Sequence, residues 1–168
     1  LLDKNGRVNM ANIDYHYRPT DDSDPFQTDI VILSGKEDSF MPKFNYKGFQ
    51  FVEISSSAPI ELSGENLIAV EMHSDVPATG YWSSSSDLLN KIWEATNSSY
   101  LANLFGYPTD CPQREKNGWT GDAHITIETG LYNFDGISVY EKWMNDFCDE
   151  QKDNGVLPCI IPTSVWGY

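Results

Sequence analysis

The stretch DCPQREKNGWTGD, residues 110–122, gathers chemically reactive side chains into one short segment of this 168-residue chain. It contains three carboxylates, one guanidinium and one indole, carried by Asp110, Glu115, Asp122, Arg114 and Trp119. Prolines near its start forbid a regular helix, and glycines flank the tryptophan. The stretch is therefore predicted to be a shaped loop that gives way to a helix near Asp122. Loops of this kind carry function on a rigid scaffold.

Helical periodicity is found on both sides of this loop. Upstream, apolar residues recur at spacings of three and four, which predicts a helix over residues 87–104 with Ser86 as its N-terminal cap. Downstream, residues 122–132 fit a second helix. An apolar stripe at positions 139–147 marks a third helix, for which Asn154-Gly155 is the predicted C-terminal cap.

Before Ser86 the sequence has the period of β-strands. Alternating or short apolar runs bounded by turn residues predict strands at residues 10–17, 28–33, 49–54, 66–73 and 79–83. Short strands separated by turns, without a long helical period, are typical of an antiparallel β-sandwich. The predicted fold is thus multidomain, β then α, with a β-sandwich domain over residues 1–78 and a helical domain over residues 79–168.

Composition excludes several classes of function. The formal charge of −14 and the pI near 4.3 would repel phosphate groups, so neither nucleic acid nor an anionic membrane is an expected partner. Three cysteines without CxxC spacing or a histidine cluster give no metal site, and no cofactor motif is present.

The two ends of the chain suggest a piece of a longer protein. The opening residues 1–6 resemble neither a signal peptide nor a translation start, so we expect the natural N-terminus to be missing. Three helices with one-sided apolar stripes also need a further packing layer, which predicts that the C-terminus is cut.

The side chains of the loop favour a sugar as ligand. Each carboxylate alone is explained by helix capping or by pairing with Arg114 and Lys116 at the surface. Trp119 between two glycines alters this interpretation, because an aromatic face beside several carboxylates suits stacking on a sugar ring and accepting from its hydroxyls. A glycosidase needs one protonated carboxyl and a second carboxylate, and the residues alone do not assign these two roles.

The same residues resemble the signature of the bacterial α-L-rhamnosidases of glycoside hydrolase family 78. Flanking sequence extends the resemblance: PKFNYKGFQFVEI (residues 42–54) is similar to the end of that family's sandwich domain, and GYWSSSSDLLNKIWEATNSSYLANLFGYPTDCP (residues 80–112) to the linker and first helix of its (α/α)6 barrel. Downstream, KWMNDFCDEQKDNGVLPCIIP (residues 142–162) resembles the next barrel helices.

The resemblance implies removal of terminal α-L-rhamnose, with inversion, from a rhamnose-containing glycoside or polysaccharide. Glu115 would be the general acid, while Asp110, Arg114, Trp119 and Asp122 would line the rhamnose subsite. No metal or cofactor is implied. The family's general base is a glutamate on a later barrel segment that this chain lacks, so residues 1–168 are expected to be inactive alone, as the first part of an incomplete (α/α)6 barrel.

Two other functions remain open at this stage. A non-catalytic carbohydrate-binding module would use the same aromatic and acidic side chains only to hold a sugar. A different inverting (α/α)6 hydrolase would use the same chemistry on another sugar.

Overall fold

The computed structural model describes residues 1–9, 27–163 and 167–168. The chain divides into two compact units, Leu1–Glu71 and Met72–Tyr168. The finer domain limit between residues 78 and 79 stays a prediction.

The first unit begins with a tight reversal of the chain. Leu2 and Val8 form an antiparallel bridge around a turn in which Gly6 has a φ of 79°. Oδ1 of Asp3 accepts hydrogen bonds from the backbone N–H groups of Asn5 (2.8 Å) and Arg7 (2.9 Å), which lower the pKa of Asp3. The guanidinium of Arg7 pairs with Glu53, whose second oxygen accepts from the N–H of Val8 at 2.9 Å. These contacts fasten the start of the chain to a segment about fifty residues later.

The structure forms no strands over the predicted strand segments that it describes. Residues 28–33, 49–54, 66–73 and 79–83 have no paired strand, and the strand predicted at residues 10–17 lies outside the described residues. Alternating residues favour an extended backbone, but a strand forms only when a neighbouring strand and a facing layer cover it. Here the apolar side chains of these segments stay uncovered: Ile32 is 93% exposed and Ile68 is 73% exposed.

The second unit contains the three predicted helices. We label them α1 (Asp87–Ala102), α2 (Thr120–Asn133) and α3 (Ile137–Glu150). They confirm the helical prediction for this half of the chain to within a few residues at each end. No helix among the described residues has both the length and the apolar character needed to cross a membrane.

Two details of the helix ends differ from the prediction. Ser86 occupies the N-cap position of α1, but its side chain makes no capping bond. Instead, the amide of Asn90 pairs with the backbone of Ser84, donating to its carbonyl at 3.0 Å and accepting from its N–H at 2.8 Å. At the other end, α3 stops at Glu150. Gly155 (φ 83°) lies in a separate turn beyond the helix, because its N–H bonds to the carbonyl of Lys152 at 2.8 Å.

A small core joins the three helices. One buried cluster comprises Val76, Tyr100, Leu104 and Phe134, and a second comprises Ala123, Tyr140, Trp143 and Ile161. The hydroxyls of Tyr100 and Tyr140 share a buried hydrogen bond of 2.8 Å, which links the two clusters. Gly130 of α2 makes this link possible, since a Cβ there would lie 2.2 Å from the Tyr100 hydroxyl.

This tyrosine pair predicts a loss of stability at alkaline pH. Burial raises the pKa of both Tyr100 and Tyr140 above the ordinary value of 10.0. The folded protein then keeps protons that the unfolded chain releases, so the free energy of unfolding falls as the pH rises above 10.0. We expect the two phenols to ionise only as the helices unfold, giving a late, cooperative rise in tyrosinate absorbance together with loss of helical circular dichroism.

The double variant Tyr100→Phe/Tyr140→Phe is the control for this titration, because it removes both buried phenols while keeping the rings. The late rise should be smaller in this variant; Tyr107, whose pKa is also raised by burial, still contributes to it. If both phenols titrated gradually while the helices stayed folded, the prediction would be wrong.

Candidate active site

The loop between α1 and α2 is fixed first at the end of α1. The N–H of Thr109 donates to the carbonyl of Asn103 at 2.7 Å, and Leu104 and Pro108 form an antiparallel bridge. Gly106 turns the chain with a φ of 80°, and its N–H donates to the hydroxyl of Ser74 at 2.8 Å. We call residues 110–119 the 110–119 loop. The hydrogen bonds just described hold the residues that precede it in place.

Asp110 closes this loop. Its N–H donates to the carbonyl of Asn117 at 3.0 Å, and its Oδ1 accepts from the N–H of Asn117 at 2.8 Å. Oδ2 accepts from the thiol of Cys111 at 2.9 Å. The turn inside the loop places Lys116 in the left-handed region at a φ of 56°. Asp110 therefore has a clear structural task within the loop, in addition to any contact with a ligand.

Glu115 lies between two of the other predicted site residues. Its Oε1 accepts from Nη2 of Arg114 at 2.8 Å, and its Oε2 accepts from the indole Nε1 of Trp119 at 3.0 Å. The Glu115 side chain is 29% exposed, so it is not closed off from solvent. Nε of Arg114 is buried and finds no hydrogen-bond partner among the described residues. The structure thus brings Arg114, Glu115 and Trp119 together in one hydrogen-bonded group.

Residues 159–161 support the end of the loop. The N–H of Ile161 donates to the carbonyl of Gly118 at 2.9 Å, Trp119 bridges Ile160, and the N–H of Thr120 donates to the carbonyl of Cys159 at 2.9 Å. These backbones approach so closely that a Cβ on Gly118 would lie 1.9 Å from the carbonyl oxygen of Ile161. The loop is thereby attached to a segment that follows α3.

Asp110 and Asp122 meet at a cavity of about 510 Å³ between α1 and α2. Its volume suits a small ligand. Its other polar lining comes from Thr96, Ser99, Asn103, Thr109, Thr126 and Thr129. Among the described residues, the Glu115 group does not contribute to this lining. The five predicted site residues therefore fall into two sets: Asp110 and Asp122 line the cavity, and Arg114, Glu115 and Trp119 form the hydrogen-bonded group. The hydrogen bonds between Asp110 and Asn117, which close the loop, connect the two sets.

Sequence reasoning missed two contributors to the site. Cys111 was given no part in the predicted site, yet this partly buried residue contacts both Asp110 and the N–H of Glu115 (3.3 Å). Residues 159–161 were expected to lie in a loop-like end of the chain without a part in the site, but their backbone braces the 110–119 loop. The position of Cys111 beside Asp110 in the signature was the one available signal. Residues 159–161 contact the loop through their backbone, and backbone hydrogen bonds produce no recognisable pattern of side chains in the sequence.

Comparison with known protein families gives two matches that together cover most of the chain. Residues 77–168 match the bacterial α-L-rhamnosidase 6 hairpin glycosidase domain, and residues 1–73 match the bacterial α-L-rhamnosidase concanavalin-like domain.

The curated relatives and the solved structures that this chain matches are also named α-L-rhamnosidases. An α-L-rhamnosidase of Formosa agariphila is 39% identical over 136 residues, covering 77% of this chain and 14% of that protein. One from Alteromonas sp. is 35% identical over 129 residues, covering 76% and 14%. The chain spans between 13% and 17% of the length of the curated relatives that it matches.

The structural matches involve about half of the chain. An α-L-rhamnosidase from Dictyoglumus thermophilum superimposes with a TM-score of 0.53 at 45% identity, covering 54% of this chain and 10% of that one. The Streptomyces avermitilis α-L-rhamnosidase complexed with L-rhamnose gives a TM-score of 0.53 at 29% identity, covering 55% and 9%.

Proposed function

Because the chain belongs to the bacterial α-L-rhamnosidase family, we propose that this protein hydrolyses terminal α-L-rhamnosides and that Glu115 is the general acid. The observation that carries the proposal is the position of the Glu115 carboxyl, which is held from two sides by Arg114 and Trp119 yet remains partly exposed. A general acid needs both a fixed direction and access to the leaving oxygen.

The rhamnose subsite that we propose uses Asp110, Arg114, Trp119 and Asp122. Asp122 and Asp110 both line the cavity between α1 and α2, where their oxygens are available to sugar hydroxyls. The Arg114 side chain is 34% exposed, so its guanidinium N–H groups could donate to sugar oxygens. Trp119 would offer its face to the apolar side of the sugar while its N–H holds Glu115.

Inversion requires a second carboxylate to activate water on the opposite side of the sugar ring. We propose that this general base is not among residues 1–168. Glu128 and Glu141 are exposed on α2 and α3. Neither matches the family's base.

The fold that we propose for the working enzyme follows the two family matches. Residues 1–78 would belong to a β-sandwich, in line with the concanavalin-like match, and residues 79–168 would open an (α/α)6 barrel, in line with the 6 hairpin match. The three one-sided helices support this, because apolar residues such as Ile125 (79% exposed) await a further layer.

The experiment that tests the function compares aryl glycosides of several sugars as substrates for the full product of the reading frame that encodes this chain. We expect turnover of aryl α-L-rhamnosides and a kcat/KM at least about a hundredfold lower for the other sugars, because a site built to hydrogen-bond one set of hydroxyls rejects analogues that leave its polar groups unpaired. Turnover of the aryl glycoside of a different sugar would show that rhamnose is not the sugar recognised. Binding of rhamnose without any turnover would contradict the proposed enzymatic activity and favour a carbohydrate-binding module.

A further inference from the structure

Cys111 occupies the centre of the 110–119 loop. Its thiol donates to Oδ2 of Asp110 at 2.9 Å, and its sulfur accepts from the backbone N–H of Glu115 at 3.3 Å. One side chain thus connects the residue that closes the loop with the residue that we propose as general acid. The other two cysteines, Cys148 and Cys159, are exposed and make no such link.

The thiol must be protonated to make both contacts. Burial, and after it the hydrogen bond to Asp110, raise the pKa of the Cys111 thiol. They outweigh the backbone N–H groups of Lys116 and Glu115, which lower this pKa, so the sulfur stays neutral at physiological pH. A neutral thiol donates its proton to the carboxylate and accepts from the amide with its lone pairs. A thiolate would instead repel the Asp110 carboxylate.

The loop has enough other bonds to stay closed without the thiol. Two hydrogen bonds join Asp110 to Asn117, and Tyr107 donates its hydroxyl to the carbonyl of Lys116 at 3.2 Å. Within this loop, the backbone N–H of Glu115 donates to the sulfur of Cys111. Loss of the thiol would therefore act on the position of Glu115 more than on the closure of the loop.

We propose that Cys111 is a positioning residue, which fixes the backbone of Glu115 and so directs the carboxyl group towards the leaving oxygen. This inference rests on the proposed function of Glu115. It assigns no contact between Cys111 and the sugar. The fixed backbone at Glu115 and the two bonds from Arg114 and Trp119 together define where the proton is delivered.

The test uses two substrates that differ in their need for an acid. Phenyl α-L-rhamnoside has a poor leaving group that requires protonation. The leaving group of 2,4-dinitrophenyl α-L-rhamnoside is dinitrophenolate, which departs without being protonated. The variants Cys111→Ala and Cys111→Ser are made in the full product of the reading frame, with Cys148→Ala on α3 as the matched control and Glu115→Gln as the reference.

For Cys111→Ala we expect kcat on the phenyl substrate to fall about 10- to 100-fold, since small misplacements of a catalytic group cost this much. On the dinitrophenyl substrate we expect less than about a threefold loss of kcat. Any change in KM that arises through Asp110 should be equal for the two substrates, because they share the same sugar. Cys111→Ser retains a donor and an acceptor and should recover at least part of the phenyl activity. Cys148→Ala should match the wild type.

Two results would overturn the positioning role. Equal losses on both substrates would mean that Cys111 acts only on folding, and unchanged phenyl activity in Cys111→Ala would mean that the thiol does not position the acid. If Cys111→Ala fails to fold, Cys111→Ser becomes the test. A positioning role then requires that any loss of kcat in Cys111→Ser be larger on the phenyl substrate than on the dinitrophenyl substrate. Glu115→Gln separates the two proposals: if it shows no loss on the phenyl substrate, the acid assignment itself fails, whatever Cys111 does.

Discussion

Replacing Glu115 by glutamine is expected to lower kcat for phenyl α-L-rhamnoside by about 10²- to 10⁴-fold, the range that general acids contribute. Glutamine keeps the size of the side chain and an oxygen that accepts from the Trp119 indole, now 3.0 Å from Oε2. It has no acidic proton to give to the leaving oxygen. The loss should therefore appear in kcat, with KM changed little, in steady-state assays of the full product of the reading frame.

Glu128→Gln is the matched control for this variant. Glu128 is exposed on α2, and the same substitution there removes one negative charge without touching the 110–119 loop. It should change stability by less than about 0.5 kcal/mol and kcat by less than about twofold, because Glu128 lies outside the 110–119 loop. A loss of less than threefold in Glu115→Gln, with helical circular dichroism intact, would show that another group protonates the leaving oxygen.

Replacing Gly118 by alanine is expected to disrupt the site by a different route. The added methyl would lie 1.9 Å from the carbonyl oxygen of Ile161 and 2.9 Å from its carbonyl carbon. Both are backbone atoms, so no side-chain rotation relieves the overlap. We expect a destabilisation of about 1–3 kcal/mol or more, measured by thermal unfolding. Activity should fall as well, because Trp119 would move with its neighbour and release Glu115.

Gly121→Ala is the control, since this glycine lies three positions later in the same motif. A Cβ on Gly121 meets nothing within 4 Å. Position 121 lies in the first turn of α2, where alanine is favoured over glycine by up to about 1 kcal/mol. The melting temperature should therefore stay the same or rise. Equal destabilisation by both substitutions would contradict the role given to the contact between Gly118 and Ile161.

The helices were predictable because their signals are local. The spacing of Leu88, Leu89 and Ile92 repeats within one turn, and the residues that interrupt the helices stand next to them in sequence. Strands depend on partners elsewhere in the chain. The alternation around Ile32 and Ile68 says nothing about which segment pairs with them, and these side chains remain exposed in the structure.

The site was predictable as a set of residues but not as an arrangement. The mix of carboxylates and an indole pointed to a loop that folds back, and the structure closes that loop between Asp110 and Asn117. The bond from the Trp119 indole to Glu115 depends on the exact course of the turn, which the sequence does not encode in any pattern. The sulfur of Cys111 was missed because a small thiol next to a proline has the same appearance in sequence whether it fills space or makes hydrogen bonds.

The brace formed by residues 159–161 also has a consequence for synthesis on the ribosome. Thr120 bonds to Cys159, which follows it by 39 positions. At translation rates of about 5–20 residues per second, Cys159 leaves the ribosome about 2–8 s after Thr120. During that interval α1 and α2 are available to pack while the end of the 110–119 loop lacks its backbone partners. The arrangement around Glu115 is therefore completed late, after α3 and the segment behind it have left the ribosome.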